Sequence, residues 1–153
     1  MAEGNARTVD PPFAGSFALD VEGVLMGHFT EITGLAVTME VEEVQEGGNN
    51  DAVIKLPGRL TWPNLVLKRG LTTDDALLSW LLEFSGQGFA ARGYAATKRS
   101  ATLTLYTARL EPARRWTLRE VMPVRWTGPQ FAAGGAALAV EELEVSHGGF
   151  TSG

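Results

Sequence analysis

In the stretch LAVTMEVEEV, residues 35–44, Leu35, Val37, Met39 and Val41 alternate with Thr38, Glu40 and Glu42. Side chains along a strand point to opposite faces in turn, so a period of two specifies a strand with one apolar face and excludes an amphipathic helix. The apolar set is expected to face the core and the acidic set to face away from it. The same period recurs elsewhere. Phe17, Leu19 and Val21 share a face in FALDV, and Leu103 and Leu105 oppose Thr102, Thr104 and Tyr106. Trp116 and Leu118 oppose Arg115, Thr117 and Arg119. In ALAVEELEVSHGGF the apolar phase changes between Val140 and Leu143, which predicts a bulge around Glu141-Glu142.

Punctuation supports short antiparallel strands. Glu22-Gly23 predicts a tight turn into VLMGHF. Between Gln45 and Arg59 the run Gly47, Gly48, Asn49, Asn50 and the pair Pro57-Gly58 predict a long excursion, with the apolar stretch Ala52 to Ile54 inside it. A strand is expected over Leu60 to Lys68, with Pro63 at an edge or bulge because it lacks an N–H for the ladder. One helix is expected, from a capping-box-like start at Thr72 and Asp75 to a stop at Gly86. Leu77, Leu81 and Phe84 line its core stripe, and Trp80 falls outside the narrowest stripe. The pattern is mainly β: an antiparallel sandwich or barrel of roughly seven strands with one α-helix. Residues 1–15 read as a flexible N-terminal arm, and residues 16–153 as a single domain.

Catalysis has little material here. The chain has 153 residues, no cysteine and two histidines, His28 and His147, neither beside a nucleophile signature. Thiolate metal sites are excluded, zinc-motif spacing is absent, and Gly47-Gly48 is not followed by the Lys-Ser/Thr of a phosphate loop. No cofactor is expected. A formal charge of -5 opposes general attraction to polyanions. Arg109, Arg114, Arg115, Arg119 and Arg125 do interleave with Trp116 and Trp126, a pattern that can bind single strands. Core tryptophans with paired or interface arginines are the expected explanation, and no specific nucleic-acid binding is expected. The N-terminus lacks the basic and apolar run of a secretory leader, and no apolar run is long enough to span a bilayer. A soluble β-sandwich binding module, using Trp62 or Trp126 for a ligand such as a sugar, is the alternative function that these residues leave open.

Four segments in order resemble the tail tube proteins of contractile phages and contractile injection systems. They are FALDVEGVLMGHFTEITGLAVTMEVEEVQEGGNND (17–51), KLPGRLTWPNLVLKRGLT (55–72), VMPVRWTGP (121–129) and VEELEVSHGGF (140–150). Met122 stands where the family usually has tryptophan, and Gly149 where an acidic residue is common. The resemblance implies a non-enzymatic subunit. Homo-hexameric rings would join their sheets into one continuous β-barrel and stack into a hollow tube. The implied partners are a contractile sheath, a baseplate hub with spike, a tube-terminating cap and possible lumen cargo, with no membrane insertion by this chain. Synthesis and assembly are expected in the cytoplasm, with release in the particle. Inter-ring and inter-subunit contacts are expected from Gly47, Gly48, Asn49, Asn50, Val53, Ile54, Lys55, Leu56, Pro57, Gly58 and Arg59. If the apolar set at 35–41 faces the core, the pleat turns Thr38, Glu40 and Glu42 toward the lumen.

Overall fold

The computed structural model describes residues 15–45, 47, 52–86, 98–130 and 139–153. The expected arm, the expected loop residues Gly48, Asn49 and Asn50, and the Gly/Ala-rich stretches after the helix and before residue 139 lie outside the described residues, Gly15 excepted. The strands are β1 (Ser16–Val21), β2 (Val24–Phe29), β3 (Glu31–Thr33), β4 (Thr38–Gln45), β5 (Val53–Thr61), β6 (Leu65–Gly70), β7 (Arg99–Tyr106), β8 (Pro112–Thr127), β9 (Val140–Ser146) and β10 (Phe150–Ser152). One α-helix among the described residues, α1 (Ala76–Leu82), packs against β8.

All pairings are antiparallel. The main sheet runs β2-β1-β7-β8-β9-β6-β3, with β10 also on β8, and β4 and β5 form a separate two-stranded sheet. The β1–β2 turn is as expected: Glu22 and Gly23 both have positive φ, 48° and 84°, between the paired Val21 and Val24. The path folds back on itself at Thr30, whose N–H donates to the Lys68 carbonyl at 2.9 Å. Before that residue β2 pairs with β1, and after it β3 pairs with β6.

β8 makes this possible because it serves both halves. Its first part pairs with β7 and β10, and its last part with β9. Trp116 and Leu118 point inward, then Glu120 takes φ 52° and the inward phase moves to Val121 and Pro123. A second irregularity between Pro123 and Arg125 lets Trp126 pack against the core. One long strand thereby turns a corner without ending.

Leu19, Val21, Phe29, Leu65, Leu67, Leu77, Leu103, Leu118, Val121, Leu143 and Val145 are fully buried. The expected bulge at Glu141-Glu142 does not exist. The β6–β9 register is unbroken from Leu65↔Val145 to Gly70↔Val140, and Glu141 lies on the core face with Leu143 and Val145. A buried carboxylate, not an inserted residue, produced the change of apolar phase. It is compensated: Arg69 Nε donates to Glu141 Oε2 at 2.8 Å, and the Trp126 indole N–H donates to Glu141 Oε1 at 2.7 Å. Arg69 also stands over the Phe29 ring at 5.5 Å. Gly27 makes room for it, since a Cβ there would lie 2.2 Å from Arg69 Nη1.

The helix is shorter than expected and its stripe is shifted. Asp75 is the N-cap without a side-chain cap bond, while Asp74 Oδ1 accepts from the Ala76 N–H at 2.9 Å. Leu77 and Trp80 are the buried pair, while Leu81 and Phe84 are half-buried. The large indole at i+3 fills the space that a leucine at i+4 was expected to fill. Leu77→Ala should therefore cost about 2–5 kcal/mol and Leu81→Ala clearly less, a ranking that denaturant melts of the two variants will check. Breaking the buried ion pair should also be severe. Arg69→Met should cost about 3–5 kcal/mol, and Arg69→Met with Glu141→Leu much less, measured in the same way.

Candidate assembly surface

The hairpin of β4 and β5 is where the main expectation about apolar faces fails. Of Leu35, Val37, Met39 and Val41, only Leu35 packs against the core. Val37, Met39 and Val41 are 46%, 49% and 55% exposed. The alternation is real, but in the isolated chain both faces of this strand are open. β4 and β5 pair only with one another, and every residue of both strands is exposed. The Gln45 to Arg59 excursion is thus mostly strand. Gln45 ends β4, and Val53, Ile54, Lys55, Leu56, Pro57, Gly58 and Arg59 all lie in β5. The expected Leu60 to Lys68 strand is two strands, because Trp62, Pro63 and Asn64 leave the ladder between β5 and β6.

Register assigns the faces. Thr38↔Thr61, Glu42↔Leu56 and Val44↔Ile54 share one face, and Met39↔Leu60, Val41↔Pro57, Glu43↔Lys55 and Gln45↔Val53 share the other. Glu40 belongs with Thr38 and Glu42, opposite Met39 and Val41, so the three acidic-face candidates do stand together. That face is acidic at the root and apolar at the tip. A β5 bulge faces Glu40, and there Gly58 approaches closely: a Cβ would lie 2.9 Å from the Glu40 carbonyl oxygen. Gly47 is exposed at the turn.

Half of the exposed large hydrophobics among the described residues sit on these two strands: Met39, Val41, Val44, Val53, Ile54, Leu56 and Leu60. A two-stranded hairpin is marginal in water, and one that is apolar on both faces needs cover from elsewhere.

Residues to which the sequence assigned no part in the hairpin build its root. Gly34, at φ 90°, lies against the outgoing chain so closely that a Cβ would meet the Asn64 carbonyl oxygen at 2.0 Å. Asn64 Nδ2 donates to Glu144 Oε2 at 2.9 Å. The Trp62 ring meets Phe150 edge-on at 4.9 Å and stands 6.1 Å from His147. This packing leaves Trp62 a poor platform for a sugar, and Trp126 is committed to Glu141. The arginine run is likewise engaged in part. Arg114 covers Trp116 at 5.2 Å, Arg119 Nη2 donates to the Gly148 carbonyl at 2.8 Å, and Arg125 pairs with Glu144 at 3.2 Å. Among the described residues no group of three His, Cys, Asp or Glu is placed to hold a metal, and no helix is long and apolar enough to cross a membrane.

The family model described as T4-like virus tail tube protein gp19 matches residues 14–151. The chain belongs to the T4-like tail tube family. No curated protein matches it. Solved structures share the fold of this tail tube protein. A chain of the PVC sheath-tube complex, an extracellular contractile injection system in the extended state, is 21% identical with a TM-score of 0.75. The match covers 95% of this chain and 93% of that one. A chain of the anti-feeding prophage tube-terminating cap is 20% identical with a TM-score of 0.76, over 98% and 95% of the two chains. A chain of the anti-feeding prophage baseplate is 23% identical with a TM-score of 0.69, over 96% and 97%.

Gly34→Ala combines an unfavourable φ with a backbone collision, so it should destabilise the subunit by about 1–3 kcal/mol. It should also raise amide exchange across β4 and β5. Unchanged exchange there would show that Gly34 does not hold the root.

Proposed function

We propose that this tail tube protein is the inner tube subunit of a phage-tail-like contractile injection system, in which hexameric rings stack into a hollow tube. The tube is driven by a contracting sheath through a target envelope and delivers cargo. The observation that carries this reading is the β4–β5 hairpin. A member of a tube-forming family presents two strands with open edges and seven exposed large hydrophobics, and only another subunit supplies matching edges in number. A repeated head-to-tail contact of this kind propagates a filament, while the lateral contact closes by symmetry into a ring.

The hairpin makes the inter-ring contacts, through Val53 and Ile54 near the tip and Lys55, Leu56, Pro57, Gly58 and Arg59 along β5. Gly47, Gly48, Asn49 and Asn50 take part in the same contact. The sheath binds outside the tube, a baseplate hub with spike binds one end and a cap the other. The likeness to chains from sheath-tube, baseplate and cap assemblies supports these partners. The domain of residues 16–153 does structural work without a catalytic step, a cofactor or membrane insertion. The chain is made and assembled in the cytoplasm and leaves it in the particle.

Val53→Asp with Ile54→Asp puts a carboxylate on each face of the tip. Stacking should stop while the subunit melts as before, because neither side chain belongs to the core. Tubes of normal length in electron micrographs of this variant would count against the hairpin as the stacking element.

Thr38, Glu40 and Glu42 line the lumen in this reading, and their common face supports it. Carboxylates repeated by symmetry give a wet, negative wall that does not grip an acidic cargo. Glu40→Lys with Glu42→Lys should leave tubes intact, since exposed charges contribute little to stability, but should make them retain polyanions. Retention equal to that of the native tube would place this face elsewhere.

A further inference from the structure

The direction in which the hairpin leaves the subunit is set at one corner. Outgoing residues Trp62 and Pro63 rest on His147 and Gly149, in the bend between β9 and β10. Gly149, at φ 130°, lets Trp62 come close: a Cβ there would lie 2.9 Å from the indole. β8 holds the bend from the other side, as the Gly148 N–H donates to the Arg119 carbonyl at 2.8 Å and the Arg119 N–H to the Gly149 carbonyl at 2.9 Å.

His147, buried at 9% exposure, joins the two segments. Its Nε2 lies 3.0 Å from the Pro63 carbonyl oxygen, and its Nδ1 lies 3.1 Å from the Gly149 amide nitrogen. A carbonyl only accepts and an amide N–H only donates. One state of the ring satisfies both: a neutral imidazole with its proton on Nε2.

We propose that His147, in this neutral Nε2–H form, is the latch that fixes the hairpin's exit direction, so that ring stacking requires an uncharged imidazole. The inference rests on the reading of the hairpin as the stacking element. Protonation would place an N–H on Nδ1 facing the Gly149 N–H, donor against donor. Either the ring turns and releases Pro63, or Gly149 moves and releases Trp62.

The surroundings decide how readily this happens. Arg119, whose Nη2 donates to the Gly148 carbonyl, opposes a second positive charge at the corner. Glu120 favours it, with a carboxylate oxygen 2.7 Å from where a Gly148 Cβ would stand. Glu144 on β9 is engaged by Asn64 and Arg125. The link 62–64 and β10 bring no charged side chain. Burial is the largest influence and holds the His147 pKa below its ordinary 6.5, with the Pro63 carbonyl pulling the other way. The unlatched ring therefore binds protons more readily than the latched one. The latch is fully effective above pH 6.5 and is lost as pH falls through the lower, folded value.

The test compares assembly of the purified full chain and of His147→Gln at about pH 7.5 and about pH 5.5, by sedimentation and electron microscopy. Glutamine places a non-titrating N–H where Nε2 stands. Native tubes should fall about tenfold in mass fraction at the lower pH, and those of the variant should not. Native assembly equal at both values, or an equal loss in both proteins, would overturn the latch. Should the variant fail to fold, the imidazole ¹⁵N shifts of the unassembled native chain decide: a proton on Nδ1 at the higher pH overturns it. Should the native chain form no rings at either pH, the tube reading fails instead. The latch then stands or falls on the tautomer and on whether acid speeds amide exchange in β4 and β5.

Discussion

A buried ion pair fixes the geometry from which the rest follows. Arg69 and Glu141 are direct cross-strand partners on β6 and β9, both almost wholly withdrawn from water. Charges cost several kcal/mol to bury unless paired, so a shift in register that separated them would carry that cost on top of the lost apolar contacts. Period-two patterns alone permit a slip of two residues without exposing an apolar face. The pair removes that freedom. Through the Trp126 indole it also fixes β8 beyond its second irregularity, and through Gly27 and Phe29 it fixes β2 just before the chain crosses to β3. One guanidinium nitrogen, Nη2, has no hydrogen-bond partner among the described residues. Specificity of register, rather than maximum stability, is the best physical account of keeping charge at this place.

The same pair explains what the sequence conveyed and what it hid. Faces of β1, β7 and the first half of β8 were legible because their large apolar residues point inward, although the paired Ala18 and Thr104 on the other face are buried as well. β9 was misread because Glu141 breaks that rule while occupying an inward position. A buried carboxylate and a bulge leave the same trace in a linear pattern, and only the partner across the sheet distinguishes them. The helix stripe was misplaced by a related ambiguity. At 3.6 residues per turn both i+3 and i+4 neighbour residue i, and the volume of Trp80 settled the choice.

The candidate assembly surface was half legible. Alternation at 35–44 correctly placed Thr38, Glu40 and Glu42 together, but the step from "apolar face" to "core of this subunit" failed. An apolar face states that cover is needed, not where the cover comes from. The root of the hairpin was not legible, because its contacts span long sequence separations: Gly34 to Asn64, Pro63 to His147, Asn64 to Glu144. The segments that carry the family resemblance nevertheless converge on these two structural nodes. They supply Gly27 and Gly34, Trp62, Pro63, Asn64 and Arg69, Trp126, and then Glu141, Glu144 and His147. At these positions the motifs mark geometry: a buried ion pair and the root of a hairpin.

The division between body and hairpin has a further consequence. A subunit that waits in solution with open strand edges and apolar faces invites uncontrolled pairing. Several features of the hairpin restrain this. Glu40 and Glu42 charge one face, Glu43 stands opposite Lys55 on the other, and the bulge at Gly58 with Pro57 beside it interrupts a regular edge. None of these contributes to the core, so the body folds independently of them and the hairpin is marginal in the isolated subunit. A marginal element keeps a fixed direction only if its root is rigid. That places the demand for rigidity at Gly34, Asn64 and the His147 corner, where the most closely packed backbone contacts around the hairpin are found.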